Sequence, residues 1–213
     1  MINSISAVIL AGGNNKRFNG ITKSNIVING KTIISRVIDT IKDIFEEIII
    51  VTNTPEEFKE YGKFKIVGDQ FLKVGPLGGI HAAFKASSKE ALFVFAGDMP
   101  LLDSKIIIRQ IDSYNRNICD ILIPRINQYI EPLHAIYNIS LIKTLEEYLA
   151  ADHDYAVREF FNMVNVRYMQ LEESEETKNA FTNINSPSDI SKVEKIIANS
   201  FPGEGWVGGS KIN

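Results

Sequence analysis

The sequence predicts an α/β fold: three layers, with helices on both faces of a mostly parallel sheet. Three observations predict it. Short runs such as Ser6–Ala11 and Ala91–Ala96 are continuously apolar, as strands buried on both faces must be. Other segments, Thr32–Phe45 foremost, place Ile33, Ile34, Val37, Ile38, Ile41 and Ile44 at helical spacing. The two kinds alternate as far as Arg125, the order that parallel strands with helical crossovers require.

Taken in order, Ser6–Ala11 is the first strand, Thr32–Phe45 the first helix and Ile48–Val51 the second strand. Pro55-Glu56-Glu57 opens a helix, with proline and acids in its first turn. Lys65–Val67 is a short strand, Ile80–Ala86 a helix and Ala91–Ala96 a buried strand; Ser104–Tyr114 and Asp120–Pro124 repeat the alternation. Beyond Arg125 the pattern loosens. Leu133–Tyr137 and Val164–Met169 read as strands, Ser140–Ala151 and Ala156–Met163 as helices, and Ser188–Ala198 as a closing helix entered through Ser186-Pro187. Neither a repeat nor a linker interrupts the chain, so one compact domain is expected. The glycine-rich stretch Gly203–Asn213 reads as a tail or a cloning remnant.

With 213 residues, 45% hydrophobic and 23% charged, the chain can bury a core without disulfide or structural metal. Cys119 is its one cysteine, which excludes an intrachain disulfide and argues against a cysteine-based zinc site. A reducing cytoplasm is the expected location. No apolar run approaches the roughly 20 residues of a membrane span, and Met1-Ile2-Asn3-Ser4 lacks the basic start of a signal peptide. A formal charge of −3 provides no general field for nucleic acid. It leaves room for an anionic small molecule held by a few local cations and amides.

The strongest chemical signal follows the first strand: Leu10-Ala11-Gly12-Gly13-Asn14-Asn15-Lys16-Arg17-Phe18-Asn19-Gly20, with Lys23 close behind. Adjacent glycines let the backbone turn sharply and bring its amides near a ligand. Phosphates gain most from such amides together with an ammonium and a guanidinium, here Lys16, Lys23 and Arg17. On its own the stretch reads more readily as a solvated turn with incidental basic residues. It is neither a Walker loop nor a dinucleotide fingerprint. Gly30-Lys31-Thr32 has the Walker ending, but Asn25 stands where its first glycine belongs, and Gly12 and Gly13 are adjacent. Asn29-Gly30 reads instead as a turn between two short extended segments.

Parallel sheets bind ligands at the C-terminal ends of their strands, and the other polar clusters fall there. Asp98, in Ala96-Gly97-Asp98-Met99-Pro100, offers one carboxylate at a strand end, suited to magnesium whose shell phosphates and water complete. It would otherwise simply turn the loop. Gly75-Pro76-Leu77-Gly78-Gly79 precedes the helix at Ile80, where small residues leave room for an anion. Asp69 is either a hydrogen-bond acceptor for a base or ribose, or a turn residue. Asn183 and Asn185, two apart in an extended segment, share a face. His81, His134 and His153 have no metal-ligand spacing and are expected at the surface or partly buried. Cys119 and the phenylalanines Phe45, Phe93, Phe95, Phe160 and Phe161 are expected in the core.

Together these blocks resemble molybdenum cofactor guanylyltransferase. The resemblance runs in order through Leu10-Ala11-Gly12-Gly13…Arg17…Gly20…Lys23, Gly75–Ile80, Gly97–Pro100 and Asn183-Ile184-Asn185-Ser186-Pro187, from about Ala7 to Val193. It implies a Rossmann-like fold of the nucleotide-diphospho-sugar transferase type, with residues 1–200 as one nucleotidyltransferase domain. It implies Mg2+, and GTP and molybdenum-loaded molybdopterin as substrates, yielding the guanine dinucleotide cofactor and pyrophosphate. The related readings use CTP with molybdopterin, or a nucleoside triphosphate with a sugar phosphate; a non-catalytic nucleotide-binding partner is a third. By matching position, Leu10, Ala11, Gly12, Gly13 and Lys23 would contact the nucleotide, Asp69 would hold the nucleoside and Asp98 the metal. Thr52 or Asn53 would add a base-side contact. Arg17, Gly20, Gly79, Asn183 and Asn185 would lie on the pterin or catalytic side. Catalysis would rest on Lys23, Arg17 and Asp98, without a general base, since the attacking phosphate is already anionic. A molybdoenzyme or cofactor-insertion protein would be the partner, with neither nucleic acid nor membrane involved.

Two positions depart from the family pattern. Phe18 replaces a methionine after the arginine, and Thr22 stands where an acid commonly precedes the lysine, which bears on how Lys23 is oriented. The whole reading requires Lys23 and Asp98 to meet on one rim of the sheet.

Overall fold

A computed structural model describes residues 1–12, 22–71, 73–117, 119–151 and 155–200. Its central sheet contains β1 (Ile5–Leu10), β4 (Ile48–Val51), β5 (Lys65–Val67), β6 (Ala91–Ala96), β7 (Ile121–Ile126), β8 (Tyr129–Ile130), β9 (His134–Asn138) and β10 (Val166–Leu171). The order is β10-β7-β9-β6-β1-β4-β5, with β8 paired to β7. β1 is parallel to both neighbours, Ala7 facing Ile48 on one side and Phe93 on the other. β5 continues the parallel set on β4, and β10 runs parallel to β7.

Strands β8 and β9 are the exceptions: β8 runs antiparallel to β7, and β9 antiparallel between β6 and β7. The connection explains both. β7 turns at Asn127, whose φ of 53° lies in the left-handed region, and returns as β8. The chain then enters the open slot beside β6 from the opposite end. Alternation of apolar runs carries no information on strand direction, so the sequence reading stops at "mostly parallel".

Side chains of β1 divide between two cores, as the two-residue period of a strand demands. Ile5, Ala7 and Ile9 join Phe93, Phe95 and Ile50 on one face. Against that face pack α1 (Ile33–Ile41), α3 (Ser104–Asn115) and, through Val193, α7 (Pro187–Ser200). Val8, Ile49, Leu92 and Val94 face the other core, with α2 (Pro76–Ala86), α4 (Ile142–Ala150) and α5 (Val157–Phe160). These are the three expected layers. The predicted core phenylalanines and Cys119 are all buried.

Local chemistry sets the helix starts. The Thr32 hydroxyl accepts the Ser35 amide to open α1, and the Asp103 carboxylate accepts those of Lys105 and Ile106 to open α3. Asn29 and Gly30, with φ of 46° and 74°, form the tight turn between β2 (Val27–Ile28) and β3 (Lys31–Thr32), as predicted. The predicted helix at Ser140 begins two residues later, after a 3-10 turn at Ile139–Leu141, and α6 (Glu175–Ala180) lies in a stretch given no element from the sequence.

Candidate functional site

The C-terminal ends of β1, β4, β5 and β6 open into a cleft of about 940 Å³. The crossovers place it there. From β1 the chain moves through β4 and β5 on one side, then crosses by α2 to β6 on the other, making β1 the switch point where α/β sheets bind ligands.

One wall is set by Gly97. Its amide donates to the Leu10 carbonyl (3.0 Å), drawing the end of β6 onto the end of β1. A Cβ on Gly97 would lie 2.7 Å from that carbonyl oxygen and closer still to Ser24 Oγ, so only glycine permits this approach. Asp98 follows directly, and its Oδ2 accepts Lys23 Nζ at 3.0 Å. The same ammonium donates to Asn185 Oδ1 at 2.7 Å. The Ile184 amide donates to the Asp98 carbonyl (2.9 Å), which holds the asparagine segment against the loop. Three stretches far apart in sequence thus converge on Lys23, and the requirement that Lys23 and Asp98 share a rim is met.

Asn183 turns toward a residue that sequence reasoning missed. This is Glu131, a carboxylate that burial pushes above the usual range although the Leu133 amide, bonded to it at 3.2 Å, and the side chain of Asn183 lower it; the nearby charge of Asp98 raises it further. Glu131 lies in the stretch where the apolar pattern loosens, and nothing local to it signals a site.

At the opposite end of the cleft, Asp69 follows β5. Its amide donates to Asn53 Oδ1 (2.9 Å), and Asn53 Nδ2 donates weakly to Asp69 Oδ2 (3.4 Å). Burial raises the Asp69 carboxyl from its ordinary value, and the Asn53 bond offsets this in part. Thr52 and Asn53 both line the cleft: Thr52 is buried with its hydroxyl 3.2 Å from that of Thr54, and Asn53 is exposed on the rim beside Asp69.

The glycines before Ile80 require a correction. α2 begins at Pro76 rather than Ile80, with Gly75 at φ 64° making the turn and proline filling the first helical position. Gly78 and Gly79 are therefore inside the first turn and buried. A Cβ on Gly79 would come within 3.0 Å of Leu10 Cδ2 and 3.5 Å of Asp69 Oδ1. Close packing against Leu10, not loop freedom, is what glycine supplies there.

Leu10 and Gly12 line the cleft, as do Lys23, Asn53, Asp69, Gly79 and Asp98, all expected. Ala11 is buried in the core, its amide bonded to the Val51 carbonyl (2.8 Å). Gly13, Lys16, Arg17 and Gly20 lie outside the described residues, as do His153 and the stretch 201–213. Glu57 and Lys73 also line the cleft and were not anticipated. The Glu57 carboxylate accepts Asn25 Nδ2 at 3.1 Å, and the neighbouring Thr22 hydroxyl does most to hold it below the usual range. In sequence Glu57 looks like its neighbour Glu56, one of two acids at a helix start.

His81 and His134, expected at least partly exposed, are both buried. His81 Nε2 meets Glu146 Oε1 at 3.1 Å, with Lys85 on the same carboxylate; His134 packs among aromatic rings. Among the described residues no group of three or more His, Cys, Asp or Glu is arranged to hold a metal. No described helix is long and apolar enough to cross a membrane.

Residues 7–170 match the MobA-like NTP transferase domain. The chain belongs to this family. A relative in Natranaerobius thermophilus, named probable molybdenum cofactor guanylyltransferase, is 35% identical over 208 residues, covering 92% of this chain and 98% of the relative. The molybdenum cofactor guanylyltransferase of Desulfosudis oleivorans is 30% identical, covering 92% and 97%. Among solved structures, molybdopterin-guanine dinucleotide biosynthesis protein A of Archaeoglobus fulgidus superposes with a TM-score of 0.77 at 25% identity, covering 91% of this chain and 99% of that one. This MobA-like chain is therefore a nucleotidyltransferase with the expected fold, and the cleft at its C-terminal rim is the candidate for its active site.

Proposed function

We propose that this chain transfers GMP from GTP to molybdenum-loaded molybdopterin, releasing pyrophosphate. The observation that carries the reading is the convergence of Lys23, Asp98 and Asn185 on the rim of the sheet, in a chain whose relatives bear the guanylyltransferase name. A phosphate oxygen of the pterin forms a bond to the α-phosphorus of GTP as the bond to the β-phosphate bridging oxygen breaks. Two polyanions must be aligned, so positioning and charge neutralisation dominate over proton transfer.

In this reading Leu10, Ala11, Gly12 and Gly13 follow the nucleotide, Asn53 and Asp69 receive the base or ribose, and Lys23 and Arg17 neutralise the phosphates. Gly20, Gly79, Asn183 and Asn185 complete the pterin side. The Asp98 carboxylate fits Mg2+ as a hard ligand, and one protein carboxylate with phosphates and water is a usual magnesium shell. Bound there, Mg2+ would neutralise phosphate oxygens. Lys23 already spans Asp98 and Asn185, so the ammonium is in place to take up negative charge on an arriving phosphate. Residues 1–200 would act as one domain in the cytoplasm, handing the product to a molybdoenzyme or insertion protein.

Pyrophosphate release from GTP and molybdopterin tests this directly. Asp98→Ala, or chelation of Mg2+, should lower turnover at least about 100-fold. Undiminished turnover would remove Asp98 from the mechanism. Preference for CTP over GTP would move the reading to cytidylyl transfer, and turnover with a sugar phosphate would move it out of pterin chemistry.

A further inference from the structure

We propose that the β8 hairpin seats the pterin of the acceptor: the Tyr129 ring stacks on the planar heterocycle, and the Glu131 carboxylate accepts hydrogen bonds from its ring and amino N–H groups. The assignment rests on the functional reading above and adds two residues that it does not use.

The direction of each side chain follows from strand pairing. Tyr129 lies opposite Ile126, and Ile130 opposite Arg125. The Glu131 amide donates to the Pro124 carbonyl at 3.3 Å, which carries the same register one residue further. Ile130 packs into the core that holds α2 and α4. Alternation along the strand therefore sends Tyr129 and Glu131 to the other face. Ile126 joins the core on that face, together with Phe181 and Ile184 of the asparagine segment. That segment runs between the two sites: Phe181 meets the His134 ring at 4.9 Å, and the Ile184 amide is bonded to the Asp98 carbonyl.

The hairpin also reaches the cleft. The Ala96 amide donates to the Leu133 carbonyl at 2.8 Å, and Leu133 lines the cleft. Asp98 lies two residues beyond that bond on one strand, and Glu131 two residues beyond it on the other. The hairpin thus stands on the Asp98 side, away from Asn53 and Asp69, where an acceptor has to enter if the nucleoside occupies the far end. A carboxylate there repels phosphate, so Glu131 suits the end of the acceptor that bears N–H donors, while the phosphate goes to Lys23. The Leu133 amide, 3.2 Å from Oε1, aims the carboxylate.

Tyr129 is 72% exposed, yet its strand is fixed. The turn before it has Asn127 in the left-handed region, and Asn127 Nδ2 donates to Glu173 Oε2 at 2.6 Å, tying the tip to the stretch after β10. Tyr168, the other exposed tyrosine among the described residues, differs. It lies opposite Ile123 on the opposite face of the sheet, and the Arg125 guanidinium already covers its ring at 5.1 Å. Tyr129 presents a rigid aromatic surface to solvent on the side where a flat heterocycle would arrive, and such stacking stabilises bound bases.

The test compares kcat and KM for pyrophosphate release in wild type, Tyr129→Ser, Tyr129→Phe, Glu131→Gln and, on the opposite face, Tyr168→Ser. Tyr129→Ser should raise KM for molybdenum-loaded molybdopterin about tenfold, with kcat and the KM for GTP within about twofold, the mark of a binding contact remote from the reacting atoms. Tyr129→Phe keeps the ring and should stay within about twofold throughout. Glu131→Gln is isosteric but exchanges an acceptor for a donor, and should raise the pterin KM at least about fivefold. Tyr168→Ser should match wild type. An unmoved pterin KM in Tyr129→Ser or Glu131→Gln, an equal rise in the KM for GTP, or a loss in Tyr129→Phe as large as in Tyr129→Ser would each overturn the proposal. A wild type that releases no pyrophosphate with molybdopterin would instead sink the functional reading. The seat then has its own readout in ligand-free protein: 6-carboxypterin, followed by its fluorescence, should bind wild type at least about fivefold more tightly than Tyr129→Ser. Equal or absent binding would refute it.

Discussion

At the scale of single residues, Lys23 has the most demanding surroundings. Its ammonium lies between two oxygens of different kinds, 3.0 Å from a carboxylate and 2.7 Å from an amide oxygen, with about a quarter of the side chain exposed. A compact tetrahedral cation suits that gap; a planar guanidinium, with fixed donor directions, does not. Lys23→Ala should therefore lower kcat by about 10²–10³, the range for losing one charge-stabilising group. Lys23→Arg should recover less than a tenth of the lost rate although the charge is restored. Steady-state kinetics with GTP and molybdopterin measure both. Full activity in the arginine variant would show that charge alone matters and that the geometry around Asp98 and Asn185 does not.

At the scale of elements, the strand ends make a paired prediction from two glycines. Gly97 has no room for a methyl group, because backbone atoms of Leu10 and Ala11 face it. Gly12, on the same rim, has nothing among the described residues within 4 Å of its would-be Cβ. Gly97→Ala should cost about 1–3 kcal/mol and lower the melting temperature by roughly 5 °C. Gly12→Ala should leave the melting temperature within about 1 °C and weaken GTP binding, because the methyl occupies the path of the nucleotide. Calorimetric melting and GTP titration separate the two; equal melting temperatures would contradict the contact geometry. The same rim shows what sequence conveys. Leu10, Gly12, Asp69 and Asp98 are legible because each ends or closely follows an apolar run that reads as a buried strand, and Lys23 because it is a cation behind the glycine-rich loop. Glu57 and Glu131 were not, since their partners come from segments distant in sequence and neither breaks a local pattern. The start of α2 was misplaced for a related reason. Glycines at 78 and 79 read as loop, yet their packing against Leu10, Phe71 and Asp69 offsets the roughly 1 kcal/mol each costs in a helix.

At the scale of the whole molecule, the layers follow from apolar pattern, but the strand order and the antiparallel insertion of β9 do not, and the entry of β9 carries a polar group into the core. His134 opens β9 with no exposed surface, ringed by Phe93, Phe95 and Phe181 at 4.9–5.3 Å between centroids. Gln110 Nε2 donates to the carbonyls of Leu122 and His134, which leaves its Oε1 as acceptor for His134 Nδ1 at 3.2 Å. Nδ1 therefore carries the proton, and Nε2 is buried without a hydrogen-bond partner among the described residues. A second proton would create a cation with no acceptor, and burial accordingly pushes the imidazole down to about 4. Unfolding raises it to the ordinary histidine value of about 6.5, so below that pH the unfolded chain binds a proton that the native chain refuses. The stabilisation is complete above about pH 6.5 and is lost as pH falls toward 4, amounting to about 3 kcal/mol across the window. Urea unfolding at intervals from pH 7.5 to 4.5 should show this loss in wild type and a flatter profile in His134→Leu, whatever that substitution costs at neutral pH. Parallel profiles for the two proteins would mean that His134 takes up its proton in the folded state as readily as in the unfolded chain, and that the aromatic cage around it is open to water.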